Sequence, residues 1–184
     1  MTSFRKYVIV TQKSTSDDTS RIKIKQPQTY SYLVNHSAWF DKRGSVIYRK
    51  RPKFCIFGIG SYSFQQYKIA IAGLYKSTRF SLVKPMDNKC VMLDDTCYLL
   101  GFDNEDTANC VLKILNSEIV QRFMKSLVFY DAKRSINKDL LMRIDLEKAA
   151  NKLYTAGMLS ETEYDIVMSC FERKTELQSL PLFA

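Results

Sequence analysis

At 184 residues, with 46% hydrophobic and 26% charged side chains, the chain is long enough for one domain with its own core plus a small appendage, and too apolar to be disordered. No apolar run approaches the roughly 18 residues of a membrane helix, and the first residues lack the apolar stretch of a signal peptide, so a cytoplasmic protein with no membrane partner is expected. The formal net charge is +9, and all of it lies in the first third: residues 1–60 carry 12 Lys and Arg against 3 Asp and Glu, while the rest holds 16 of each. Neutralising phosphates needs a local cluster of this kind, and a basic surface kept for solubility is the equally open alternative.

In chain order, residues 5–11 (RKYVIVT) are β-branched and aromatic and predict a strand, followed by a polar loop over 12–20. Residues 21–25 alternate basic and Ile, which predicts a half-buried strand with one basic face. Pro27 suits the first turn of a helix running to about Lys42, with Tyr30, Leu33 and Val34 on one face and Gly44 ending it. Short strands are expected at 46–48 and 54–57, either side of a basic loop. Residues 67–74, 79–83, 90–93 and 96–102 complete an expected sheet, with Asp87-Asn88 as a turn.

The pattern changes at Asp103. Ala108, Val111, Leu112 and Leu115 fall at helical spacing, a second helical stretch carries Ile119, Phe123 and Leu127, and three more helices are expected at 137–144, 146–156 and from Ser160. Ser160 with Glu163 makes a capping box, placed after a stop at Gly157. The fold class expected is α+β, a mixed or antiparallel sheet in the N-terminal two-thirds followed by a helical C-terminal part. Residues 1–145 read as the binding domain and 146–184 as a C-terminal helical hairpin and tail. The apolar residues Leu153, Tyr154, Ile166, Val167, Cys170 and Phe171 of that hairpin complete the domain's core in the commoner outcome for helices following a sheet. In the other outcome part of that surface remains available to a further domain or a second copy, and truncation after Leu146 is expected to leave a folded sheet domain that still binds DNA but has lost any self-association.

Five cysteines, odd in number and without a C-x-x-C pair, read as buried reduced thiols. The one histidine, His36, is far from any cysteine pair, so no metal and no cofactor is expected, and His36 reads as a helix-surface or core residue. Neither a Ser-His-Asp set nor a phosphate-binding glycine loop is present. Asp95, Asp131 and Lys133 provide an alternative reading as a small metal-dependent nuclease, against which stands the frequency of such triplets by chance.

The best contact candidate is residues 42–53, six basic residues in twelve positions: Lys42, Arg43, Arg49, Lys50, Arg51 and Lys53, with Ser45 and Tyr48 interleaved. Arginine pairs bidentately with phosphate or a guanine edge, and hydroxyls fix register on phosphates. Gly58-Ile59-Gly60 lets a backbone approach closely; Phe57 and Tyr67 read as core, whereas Tyr62 and Phe64 read equally as packing or as base-stacking residues.

The series S-V-I-Y-R (45–49), F-C-I-F-G-I-G-S-Y-S-F (54–64), Y-K-I-A-I-A-G-L-Y-K (67–76), V-M-L-D-D-T-C-Y (91–98), L-N-S-E-I-V-Q-R-F (115–123) and Y-D-A-K-R-S-I-N-K-D-L-L (130–141) resembles the TaqI-like specificity, or target-recognition, domain of adenine-specific restriction-modification methyltransferases. The resemblance covers about residues 28–146. In that family a methyltransferase domain precedes this region with a glycine motif for S-adenosylmethionine and an N/D-P-P-Y/F motif, and this chain has neither, its four prolines being isolated. The resemblance therefore implies a non-catalytic module that binds double-stranded DNA, with a separate methyltransferase or nuclease subunit as a further partner. In the second outcome for the C-terminal hairpin, its free surface then serves the methyltransferase domain or a second copy. It points to Ser45, Tyr48, Arg49, Lys68, Tyr75, Lys76, Lys133 and Arg134 as residues on or near the DNA face. Asp94 and Asp95 are expected to tie a turn to backbone N–H groups. The remaining alternative is a protein-interaction remnant of a split restriction-modification enzyme.

Overall fold

The computed structural model describes residues 6–14 and 16–176, with side-chain surroundings through residue 171. The chain divides into two compact units, Met1–Ser63 and Phe64–Ala184. Among the described residues no helix is long and apolar enough to cross a membrane.

The first unit is built from short helical pieces, and none of its described residues lies in a strand. Asp18 caps a 3-10 turn over Thr19–Arg21 by accepting from the Ser20 N–H, and the turn runs on into α1 (Ile22–Lys25). The expected strand at 21–25 is therefore a helix. A period of two over five residues is too short to outweigh a capped turn, and in helical geometry Ile22 is buried while Ile24 is 85% exposed. Pro27 opens α2 (Pro27–Asn35) as expected, but the helix breaks at His36 and resumes as α3 (Ser37–Asp41). At the break the exposed imidazole Nδ1 lies 2.8 Å from the Tyr32 carbonyl oxygen, which makes His36 a helix-surface residue.

The strands expected at 5–11 and 54–57 are likewise absent, apart from Arg5, which lies outside the described residues. The two segments do meet, through side chains. Thr11 Oγ1 donates to the Phe54 carbonyl at 2.7 Å, and the Gln12 amide both donates to the Ile56 carbonyl and accepts from the Ile56 N–H. These groups satisfy the backbone a ladder would otherwise satisfy. Phe54 is buried edge-on to Tyr30 and Phe40, with ring centroids 5.9 and 5.1 Å away, and Ile22, Leu33, Cys55 and Ile59 are buried too. Residues 46–48 form a 3-10 turn, not a strand, because the Ser45 hydroxyl accepts from the Ile47 N–H.

The second unit has the α+β order expected, a three-stranded antiparallel sheet followed by helices. Its strands β1 (Tyr67–Ala72), β2 (Ser81–Val83) and β3 (Cys97–Phe102) lie in the order β2-β1-β3. The register sets Ile69 opposite Leu82 and Leu100, Ile71 opposite Tyr98, and Tyr67 opposite Phe102, and all of these belong to one apolar face. Between β2 and β3, Asp87 and Asn88 take positive φ (49° and 58°) under a Met86–Lys89 bridge. That is the expected turn, but residues 90–93 after it form no strand.

Onto this face pack α4 (Glu105–Leu115), α5 (Glu118–Leu127), α6 (Lys138–Leu141), α7 (Leu146–Thr155) and α8 (Glu161–Glu176). Their ends carry the expected local chemistry. Asn104, Asn137 and Asp145 accept from backbone N–H groups three residues on. Ser160 and Glu163 form the reciprocal capping box. Gly157, at φ +68°, closes α7 with its N–H bonded to the Tyr154 carbonyl and the Met158 N–H bonded to that of Leu153. Leu146, Ala149, Ala150, Leu153, Leu159 and Val167 lie in the same buried cluster as Ile69, Ile71 and Leu100. This is the core-completing arrangement of the two foreseen for the C-terminal helices.

Candidate nucleic-acid interface

Charge alone does not separate the six cations of residues 42–53, but their partners do. Arg43 is tied to its own unit. Its guanidinium donates to the carbonyls of Phe40 and Cys55 (3.3 and 2.7 Å) and to that of Lys53, and lies 4.7 and 4.1 Å from the ring centroids of Phe40 and Tyr48. It acts as a staple joining the end of α3 to the far side of the loop, and Tyr48 is its stacking partner. Lys53 faces Asp41 at 3.1 Å, and the Lys42 ammonium stands 5.3 Å over the Trp39 ring. Ser45 is engaged as the cap of the 46–48 turn.

Arg49 and Lys50 differ from these: both are exposed, and neither has an ion pair among the described residues. Arg51, also exposed, is next to them. The turn thus presents Arg49 and Lys50 to solvent, and bonds from Arg43 and Ser45 hold its backbone. In the glycine segment, the Tyr62 hydroxyl donates to the Gly58 carbonyl at 2.8 Å, and its ring occupies the space where a Cβ on Gly60 would lie. Gly58 itself holds φ +70°. The half-exposed Tyr62 ring thus closes its own turn.

In the second unit the residues suggested by the resemblance separate into one buried and several exposed. Lys68 on β1 is 0% exposed, on the sheet face opposite the apolar cluster, and its Nζ donates to the Gln65 carbonyl at 2.5 Å. Burial pushes its pKa below the ordinary 10.5. A lysine with a depressed folded value binds its proton less readily folded than unfolded, so stability should rise as pH climbs from the folded value toward the unfolded one. Lys68→Met is expected to remove that alkaline rise, measured by thermal melts of both proteins from pH 7 to 10.5. An equal rise in the variant would show that Lys68 carries no such penalty.

The other residues meet at one end of the sheet. The Gly73 N–H bonds to the Thr96 carbonyl at 2.8 Å, and a Cβ at Gly73 would stand 3.0 to 3.3 Å from the Tyr98 ring and the Thr96 and Ile136 carbonyls. Three connections therefore converge: residues 73–80 after β1, residues 94–96 before β3, and residues 128–137 after α5. They carry exposed Tyr75, Lys76, Lys133 and Arg134, and Arg134 reaches the Asp95 carbonyl at 3.4 Å. Asp94 accepts from the Thr96 hydroxyl and N–H, which lowers its pKa and makes it the turn-tying residue expected. The proposed nuclease residues Asp95, Asp131 and Lys133 are exposed, and among the described residues no three His, Cys, Asp or Glu side chains are grouped to hold a metal.

Gln121 and Asn116 lie in the resembling segment 115–123, but nothing in the sequence shows that they hold the 73–80 connection. Buried Gln121 accepts from the Thr78 hydroxyl (2.8 Å) and donates to the Thr78 and Leu115 carbonyls (2.9 Å each). Asn116 pairs with both backbone groups of Phe80. Their separations of 43 and 36 residues leave no trace in local spacing.

No protein-family model and no solved structure gives a significant match to this chain. The chain is 43% identical over 145 residues, 79% of its length, to the Type II methyltransferase M.NspV of Nostoc sp. (strain ATCC 29411 / PCC 7524). The matched segment spans 30% of that relative's length. This chain is related to a type II methyltransferase.

Proposed function

We propose that this chain is the DNA-binding, target-recognition part of a type II methyltransferase system, without methyl-transfer chemistry in its own residues. The observation that carries this reading is its 43% identity to part of a type II methyltransferase, in a chain with no S-adenosylmethionine glycine motif and no N/D-P-P-Y/F motif. The exposed, unpaired cations Arg49 and Lys50 support it, because a polyanion is gripped by charges not already neutralised within the protein. In this reading the partners are double-stranded DNA and a separate methyltransferase or nuclease subunit, the setting is the cytoplasm, and Arg43, Ser45 and Tyr48 shape the grip that Arg49, Lys50 and Arg51 exert.

The test is binding of unmodified duplex by the pure chain, followed by fluorescence anisotropy between about 50 and 200 mM salt, where a protein neutralising several phosphates loses affinity steeply. Binding that weakens with salt, no cleavage with magnesium and no label transfer from S-adenosylmethionine are expected. Salt-independent or absent binding would overturn the reading, as would methyl transfer by the chain alone.

A further inference from the structure

The connection between β1 and β2 is bolted at both ends. At its start, the Gly73 N–H is bonded to Thr96 and its Cα is hemmed in by Tyr98 and the Ile136 carbonyl. At its end, Thr78 and Phe80 are buried and held by Gln121 and Asn116. Between these bolts, residues 74–77 (Leu-Tyr-Lys-Ser) are all exposed, Tyr75 to 73%. A large aromatic ring is thus held in solvent on a loop whose roots are fixed, where a ligand that covered it would gain its apolar area. The bolts also remove the ordering entropy that a mobile loop would lose on binding.

The occupant is indicated by charge. Residues 73–84 contain Lys76, Arg79 and Lys84 and no acid, and Lys133 and Arg134 stand on the neighbouring 128–137 connection. Lys84 is paired with Glu105, whereas Lys76 and Arg79 are exposed without an ion pair among the described residues. A hydroxyl-bearing aromatic tip with a cationic fringe matches a ligand whose hydrogen-bonding and apolar edges lie between anions, which describes base edges in a DNA groove flanked by phosphates.

Resting on the DNA-binding reading above, we propose that residues 74–77 form a preformed base-reading finger. The Tyr75 ring and hydroxyl contact a base, Lys76 meets the adjoining phosphate, and Gln121 and Asn116 act as positioning residues that hold the finger from within. This contact is separate from the phosphate grip of Arg49–Lys50–Arg51 and carries sequence discrimination where that grip carries affinity.

The experiment is selection from a duplex library with about ten randomised base pairs, using the full chain, its Tyr75→Ala and Tyr75→Phe variants and an Arg49→Ala/Lys50→Ala double variant, each checked by thermal melting. The wild-type chain is expected to enrich a motif. Tyr75→Ala should lose sequence information at one or two adjacent positions of that motif with the salt slope of wild type, since no charge is removed, and Tyr75→Phe should recover part of it. The double variant should bind all sequences more weakly and keep the motif. Recovery of the full motif by Tyr75→Ala overturns the proposal and assigns the tip to some other partner. A wild-type chain that binds DNA but enriches nothing overturns it while leaving the phosphate grip standing. A wild-type chain that binds no duplex overturns the function proposed above, and the finger with it.

Discussion

A chain truncated after Leu146 is expected to lose the cooperative fold of its second unit. The cut removes Ala149, Ala150, Leu153, Leu159 and Val167 from the cluster that covers the sheet. At about 1.5–3 kcal/mol for burying each of the three larger side chains, the loss is on the order of 5–9 kcal/mol, within the ~5–15 kcal/mol that is the whole net stability of a typical domain. It also uncovers α4, whose Ala108, Val111, Ile114 and Leu115 sit in the same cluster, and removes the Lys113–Glu163 ion pair between α4 and α8. Far-UV circular dichroism and thermal melting read the result directly. A truncated protein that melts cooperatively near the full-length temperature would show the sheet to be self-sufficient and reopen the hairpin as a partner surface.

Replacing Arg49, Lys50 and Arg51 together by Ala is expected to weaken duplex binding by about tenfold, at ~0.2–1 kcal/mol for each exposed charge pairing. The slope of log affinity against log salt should flatten by up to about 0.9 for each phosphate that is no longer neutralised. The turn itself should survive, since it is held by the Ser45 cap and the Arg43 staple, which these substitutions leave intact. Lys53→Ala gives the comparison within the same stretch: its charge is already met by Asp41, so its removal should move affinity and slope far less. Unchanged affinity and slope in the triple variant would remove this turn from the interface. An effect of Lys53→Ala as large as that of the triple variant would show that local pairing does not decide which cations are available.

Much of the second unit was legible along the chain because its devices are local. The Ser160–Glu163 box, the Gly157 stop, the Asn104 cap and the Asp87-Asn88 turn each act within four residues, so residue type and spacing disclose them. The helical spacing of Ala108, Val111 and Leu115 marked the face that α4 buries. In the first unit the same reasoning misplaced strands at 21–25 and 46–48, where short β-like composition lost to the side-chain caps of Asp18 and Ser45.

By itself the sequence determined the α+β order, the concentration of positive charge in residues 1–60 and the absence of methyl-transfer motifs, because these depend on composition and near-neighbour spacing. The tertiary structure alone decided what each cation is for. Arg43 and Arg49 are the same residue type in the same basic stretch, yet Arg43 meets carbonyls ten and twelve residues away and Arg49 does not. Lys68 and Lys76 lie within one resembling segment, yet one is sealed on a sheet face and the other stands on a loop tip held by Gln121 and Asn116. A charge is available to a ligand only when burial and hydrogen bonds have not already claimed it, and those partners come from across the fold, where no local pattern announces them.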